Sequence, residues 1–246
     1  METSLAVALK ENRETPFPAM IRFWESAYAR YRRPLEEGVG FYVPQFPVPL
    51  LSPQFLTGNR ALFLERNRGL IEYFNEIVPL GHDQRGPAPA GYRLEKQFFL
   101  GERRIAAREL PAGFSVRVVP LADAIEGEAL RGLLADGFPR DAAFLRVLLP
   151  FLAGLDAEFR TLFLREGERD VGAVSVGVAG GVALVLNAVI PSSDRGRRLS
   201  PVLTDASQTL AVSLGATEAF FWTEHPFLGR HADCLWHYRI FSRLSG

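Results

Sequence analysis

Apolar residues recur at helical spacing over residues 19–37, with Ile21, Phe23, Trp24, Ala27, Tyr28 and Tyr31 on one face. That period predicts an amphipathic helix, closed by Gly38 and Gly40. The run FYVPQFPVPLLSPQF that follows holds four prolines, which exclude a central strand or a helix. It reads as an extended, aromatic-rich connector. A second helical pattern covers 67–78, with Leu70, Ile71, Tyr73, Phe74 and Ile77 as its apolar positions. The glycines and prolines of 81–91 mark a loop. Residues 92–100 read as a strand, and a charged stretch runs on to about residue 110. Residues 1–17 read as a polar end.

The pattern changes at Pro111-Ala112-Gly113. FSVRVV (114–119) alternates with period two, as a half-buried strand does. Residues 123–134 and 141–155 read as helices. Two strands, 159–165 and 171–178, flank EGERD, a hairpin signal. Residues 182–190 are apolar on both faces, which predicts a central strand. A helix at 199–214 and strands at 217–222 and 236–244 complete an order β-α-α-β-β-β-α-β-(α)-β. The change of pattern places a boundary near 110, dividing the chain into 1–110 and 111–246.

At 246 residues the chain suits one large domain or two small ones with ample core. Its formal net charge is zero, with 28 basic and 28 acidic residues. No broad basic field is therefore expected for nucleic acid, and no polybasic patch for a membrane. All the basic residues but Lys10 and Lys96 are arginine. A single cysteine, Cys234, excludes an intramolecular disulfide and a cysteine-based zinc site. This fits a reducing, cytoplasmic setting. The first residues lack the long apolar core of a signal peptide, and no apolar run reaches the ~20 residues needed to span a bilayer.

The densest chemical signal lies between Val182 and Gly215. An apolar strand feeds PSSDRGRRLS, a loop of small polar residues and arginines, and a helical pattern follows. The free N–H groups of a first helical turn and the helix dipole favour an anion there. Ser200-Pro201 also reads as an N-cap followed by a first helical proline, with Gly215 as the stop. Asn187 is the one polar residue of the strand and reads as a satisfied buried amide.

This order of elements, with RGRR between strand and helix, resembles the GNAT superfamily of acyl-CoA-dependent N-acyltransferases over roughly 113–244. The resemblance implies an α/β (α+β) fold: a mixed, mostly antiparallel twisted sheet flanked by helices, with a smaller N-terminal α/β domain at 1–110. That N-terminal part is similar in length and element order to a degenerate half of the same fold. In the family, a loop of the form R/Q-x-x-G-x-G/A holds the cofactor pyrophosphate with its backbone amides. Arg195, Gly196, Arg197, Arg198, Leu199 and Ser200 occupy that run here. Arg198 and Ser200 stand where the glycines would be, and Pro201 removes a donor. Arginine compensates through charge-assisted bonds to phosphate. By position, Ala188, Val189 and Ile190 lend backbone groups to the pantetheine arm and the acyl carbonyl.

Family members often follow the next strand with a helix patterned N-x-x-A-x-x-x-Y-x-x-x-GF, whose tyrosine protonates the departing thiolate. An ungapped reading puts Glu224 at the asparagine, Phe227 at the alanine, His231 at the tyrosine and Leu235-Trp236 at the closing pair. His231 is then the candidate acid, since its ordinary pKa lies near neutrality. Glu224 is the candidate base, and Tyr238 lies nearby on a strand. Glu224, His225, His231, Asp233, Cys234 and His237 lack the i, i+4 spacing of paired ligands, so no metal site is expected.

The resemblance implies acetyl-CoA or another acyl-CoA as cosubstrate. It implies a small-molecule or peptide amine as acceptor, with no nucleic acid and no membrane as partner, and is compatible with a homodimer. The alternative is a catalytically degenerate protein of the same fold, used for ligand sensing or partner binding. Amino-acyl transfer from charged tRNA, known in relatives with two such halves, is disfavoured by the zero net charge.

Overall fold

The computed structural model describes residues 18–35, 38–41, 54–56, 60–67, 73–79, 87–139, 142–223, 232 and 234–244. In chain order the helices are α1 (Pro18–Ala27), α2 (Arg60–Arg66), α3 (Leu121–Glu126), α4 (Glu128–Gly137), α5 (Ala142–Ala153) and α6 (Leu199–Ser213). The strands are β1 (Arg32–Leu35), β2 (Gly38–Phe41), β3 (Gln54–Leu56), β4 (Tyr73–Pro79), β5 (Tyr92–Arg104), β6 (Phe114–Pro120), β7 (Glu158–Glu166), β8 (Arg169–Ala179), β9 (Val182–Val189), β10 (Glu218–Thr223) and β11 (Cys234–Arg243). Two compact units result. One comprises Met1–Arg103 with Trp222–Gly246, the other Arg104–Phe221.

In the second unit the strand order is β10-β9-β8-β7-β6. Only β9 and β10 run parallel; the other pairs are antiparallel. The β7–β8 hairpin turns at Gly167, where φ is +61°, a conformation that suits glycine. Helix α6 lays Leu199, Leu203, Ala206, Leu210 and Ala211 on Leu162, Leu164, Val174, Val176 and Val178. The alternation of those strand residues is what a one-faced contact requires. Helices α3 and α5 meet β7, and α4 meets β8 and β9. The helix expected at 123–134 is broken into α3 and α4 at Gly127, whose ψ of 142° is extended.

In the first unit the order is β1-β2-β3-β4-β11-β5. Strand β11 pairs antiparallel with β4 and with β5, while β3 and β4 run parallel. Phe74 on β4 lies opposite Phe241 on β11 and stacks on it at 4.8 Å between ring centroids. Glu76 lies opposite Arg239 and accepts its hydrogen bond at 2.9 Å. Trp24 of α1 stacks on Tyr28 and on Trp222.

Two expectations fail here. The helix read over 67–78 is the strand β4 from residue 73, because Phe74 and Asn75 are both buried, on opposite faces. A strand buried on both faces loses its alternation and mimics a helical period. The helix read over 19–37 stops at Ala27, and 32–35 pairs with 38–41 as a hairpin. Most of the proline-rich connector and of the 81–91 loop lies outside the described residues.

Candidate functional site

Strand β9 carries a bulge. Ala173 pairs with Val189 and Ser175 with Leu186, so three residue steps on β9 match two on β8. Asn187 takes the left-handed conformation, φ +53°, inside the bulge. A bulge shifts the phase of the side chains that follow. Val189 therefore turns toward α4, and Ile190 packs with the α6 cluster. Gly137 makes room for Val189, since a Cβ at that position would lie 2.1 Å from Val189 Cγ2.

The parallel pairing of β9 with β10 covers only Val182–Leu184 against Glu218–Phe220. Beyond Leu184, the β9 segment up to Val189 has no such pairing among the described residues. Ala188, Val189 and Ile190 lie at the end of this stretch, which remains paired with β8 through Leu186 and Val189. Ala188 is exposed, Val189 buried and Ile190 half-buried.

A short 3-10 turn, Ser192–Asp194, leads from β9 into the loop. Asp136, on α4, holds it in place. Its carboxylate accepts the Ser192 backbone N–H at 2.5 Å and the Ser192 hydroxyl at 2.8 Å. These bonds lower the Asp136 pKa, the backbone one most. Asp194 is only 2% exposed. Arg169 donates to both its oxygens, at 2.7 and 2.8 Å, and Arg197 to one, at 2.6 Å. Arg197 also reaches both Glu166 oxygens, at 2.7 and 2.9 Å. The Arg169 bonds, then those of Arg197, hold the Asp194 carboxyl down at about 2. Arg197 is thus a strut that ties the loop to the β7–β8 hairpin.

The loop then passes through Gly196 at φ +88° and Arg198 at φ +58°. Arg198 is the N-cap of α6, and its side chain makes no capping bond. This corrects the expectation that Ser200 caps the helix. Leu199 starts the helix, Ser200 is its second residue and Pro201 its third. The Ser200 carbonyl accepts the Thr204 hydroxyl at 2.8 Å. Helix geometry leaves the Leu199 and Ser200 N–H groups without intrahelical acceptors. Arg195, Gly196, Arg198 and Ser200 are exposed, and Leu199 is buried. Neither Arg195 nor Arg198 has an ion pair or hydrogen bond with a described residue. Gly215, at φ +89°, ends the helix as its sequence position suggests.

The candidate acid and base, His231 and Glu224, lie outside the described residues. Of the six residues whose spacing argued against a metal, only His237 has a described side chain; its ring nitrogen Nδ1 lies 2.9 Å from Gln97 Nε2. Tyr238 is buried in the first unit, and burial pushes its phenol well above the ordinary value. A second correction concerns Asn187, read as a satisfied amide: its side-chain Nδ2 is buried and has no hydrogen-bond partner among the described residues. The Asp194 anchor was also missed, although an acid inside SSDRGRR was a readable signal.

A mixed, mostly antiparallel sheet flanked by helices is the architecture of the GNAT N-acetyltransferases, and this chain has it. Among solved structures it is similar to a GCN5-related N-acetyltransferase from Kribbella flavida, with a TM-score of 0.60 at 19% identity, over 92% of this chain and 95% of that one. A GNAT-family protein from Novosphingobium aromaticivorans gives 0.53 at 14% identity, over 94% and 100%. A conserved protein of unknown function from Staphylococcus epidermidis gives 0.53 at 8%, over 86% and 93%. At these identities the likeness is one of fold. No protein-family model and no curated protein matches the sequence. Among the described residues, no helix is long and apolar enough to cross a membrane.

Proposed function

We propose that the chain is an acyl-CoA-dependent N-acyltransferase of the GNAT superfamily, with acetyl-CoA as the default donor and a small-molecule or peptide amine as acceptor. The observation that carries this reading is the divergence of β9 from β10 immediately before a helix start with free amides. The edge of β9 that lacks β10 pairing supplies backbone donors and acceptors for the pantetheine arm beside Ala188–Ile190. The N–H groups of Leu199 and Ser200, with the Arg195 and Arg198 guanidiniums, supply charge for the pyrophosphate. The acceptor nitrogen attacks the thioester carbonyl carbon; the C–S bond breaks, the nitrogen loses a proton and the thiolate gains one. Orientation and backbone stabilisation of the oxyanion supply most of the rate. Glu224 as base and His231 as acid belong to this proposal, as does a degenerate GNAT half in the N-terminal part.

A titration of melting temperature with CoA and acetyl-CoA tests it. At a ligand concentration of about 100 Kd the stabilisation is about 2.7 kcal/mol, or roughly 5–10 °C for a chain of this size. No shift at millimolar ligand overturns the reading. One observation favours the alternative of a non-catalytic sensor: Arg198 and Pro201 stand where close backbone approach to a phosphate is wanted. Binding without thioester cleavage across a broad amine panel identifies that case.

A further inference from the structure

We propose that Asp194 and Glu166 are positioning residues for the start of α6, acting through Arg197. The inference rests on the acyl-CoA reading above. Arg197 lies between two left-handed residues, Gly196 at φ +88° and Arg198 at φ +58°. Its guanidinium donates once to Asp194 and twice to Glu166. Its backbone N–H donates to the Asp194 carbonyl at 3.3 Å. Side chain and main chain of this one residue are therefore both tied down. A left-handed backbone that bears a side chain persists where the surroundings hold it. Arg198 makes no capping bond of its own. Leu199 is buried on one side of it, and Arg197 supplies the restraint on the other. The backbone so held sets the direction of the Leu199 and Ser200 N–H groups.

The ion pairs close into a neutral ring. Asp194 meets Arg169 and Arg197, and Glu166 meets Arg197 and, at 3.7 Å, Arg169. Two carboxylates and two guanidiniums leave no net charge for a phosphate, so these residues act on the loop by geometry rather than by contact with a ligand. Isolated surface pairs contribute little, but this is a network around a buried carboxylate. The strands bring it to the loop. Strand β8 begins at Arg169, four residues before Ala173 meets Val189 of β9. The tip of the β7–β8 hairpin thus extends past the last paired residue of β9. Glycine takes a left-handed backbone without steric cost. Where the resembling motif has glycine, this chain has Arg198 and a ring of ion pairs that supports it.

Calorimetric Kd values for CoA test this on the full chain, well below its melting temperature, in D194N, E166Q and D170N. Asp170 lies on the same hairpin, and its ion pairs are with Arg117 and Arg165, so D170N disturbs the hairpin and spares the ring. A purely stabilising role leaves Kd unchanged there, because almost every molecule is folded. D194N and E166Q each remove a negative charge beside the loop, so electrostatic attraction alone predicts tighter binding of the anionic ligand. Loss of positioning predicts the opposite. D194N is expected to bind CoA roughly 10-fold more weakly, the worth of about one hydrogen bond to a charged group, and E166Q about 3-fold more weakly. D170N is expected to match the wild type. D194N decides where its ligand-free melting curve shows a folded chain; otherwise E166Q does, since the Glu166 side chain is 40% exposed and its change is readily tolerated. Unchanged or tighter binding in the deciding variant, or an equal loss in D170N, overturns the proposal and leaves the acyl-CoA reading intact. A wild-type chain that does not bind CoA overturns that reading, and the inference with it.

Discussion

Arg198 holds a left-handed backbone in the place where the resembling motif has glycine. That conformation costs a side-chain-bearing residue roughly 1–2 kcal/mol, and glycine's extra unfolded-state freedom offsets about 0.5–1 of it. R198G is therefore expected to raise stability by about 0.5–1 kcal/mol in urea unfolding; a loss of stability shows that the arginine side chain anchors the loop after all. Asp194 works in the opposite sense. D194A removes three charge-assisted bonds from a buried carboxylate and is expected to cost about 2 kcal/mol, moderated because Arg169 regains water and Arg197 keeps its bonds to Glu166. Its pKa is lowered, to about 2, against roughly 3.9 in the unfolded chain. The stabilisation is thus complete above about pH 4 and fades as pH falls toward 2. Unfolding measured from pH 5 to 2 should show D194N losing less stability than the wild type over that window, and parallel curves would contradict the assignment. At this scale the arginines of the loop were legible because their density is visible in one line of sequence. Their partners were not, since Glu166 and Arg169 reach the loop only through the fold. The cap was misread because Ser-Pro has two good local readings, and the backbone chose the one with Arg198 outside the helix.

Strand β9 shows how one element serves both packing and the site. Its bulge turns Val189 onto α4, where Gly137 admits it with no space for a methyl group. Gly172 on β8 is tight but less so, with a Cβ there lying 3.1 Å from the Val189 carbonyl oxygen. G137A is expected to destabilise the chain by about 1–3 kcal/mol, the usual cost of overpacking. By pushing Val189 it should also weaken CoA binding more than a surface change such as R131A does; unchanged unfolding and binding in G137A would remove this contact from the account. The strand was legible as a central one because it is apolar on both faces. The bulge was not, because asparagine in a strand has no single meaning. The same two-faced burial that exposed β9 concealed β4. In LIEYFNEIV the apolar spacing fits a helix as well as a strand, and only pairing with β11 decides between them. The hairpin of β7 and β8 was readable for the converse reason: Gly167 and a charged turn separate two β-rich runs, and the decision is local.

Across the whole molecule the feature least visible in the sequence is the return of the chain. Strand β11 lies between β4 and β5, pairing with β4 from Trp236 to Ser242 and with β5 from Cys234 to Arg243. Pairings this distant along the chain leave no local mark, because each strand's composition is satisfied by any neighbour of the right pattern. A change of pattern along the chain is a local signal, whereas the compact units, Met1–Arg103 with Trp222–Gly246 and Arg104–Phe221, are defined by pairings between distant segments. The arrangement has a mechanical consequence. A chain ending at residue 223 loses the central strand of the first unit, including Phe241 against Phe74 and Arg239 against Glu76. It loses none of the residues that pack α6 on β7 and β8. Hydrogen exchange should then report collapse of amide protection in β4 and β5, with protection retained in β7, β8 and α6, because opening follows cooperative units rather than the chain as a whole. Uniform loss of protection across both units would mean that the second core does not stand by itself, and that stability at the candidate site depends on the strand that returns.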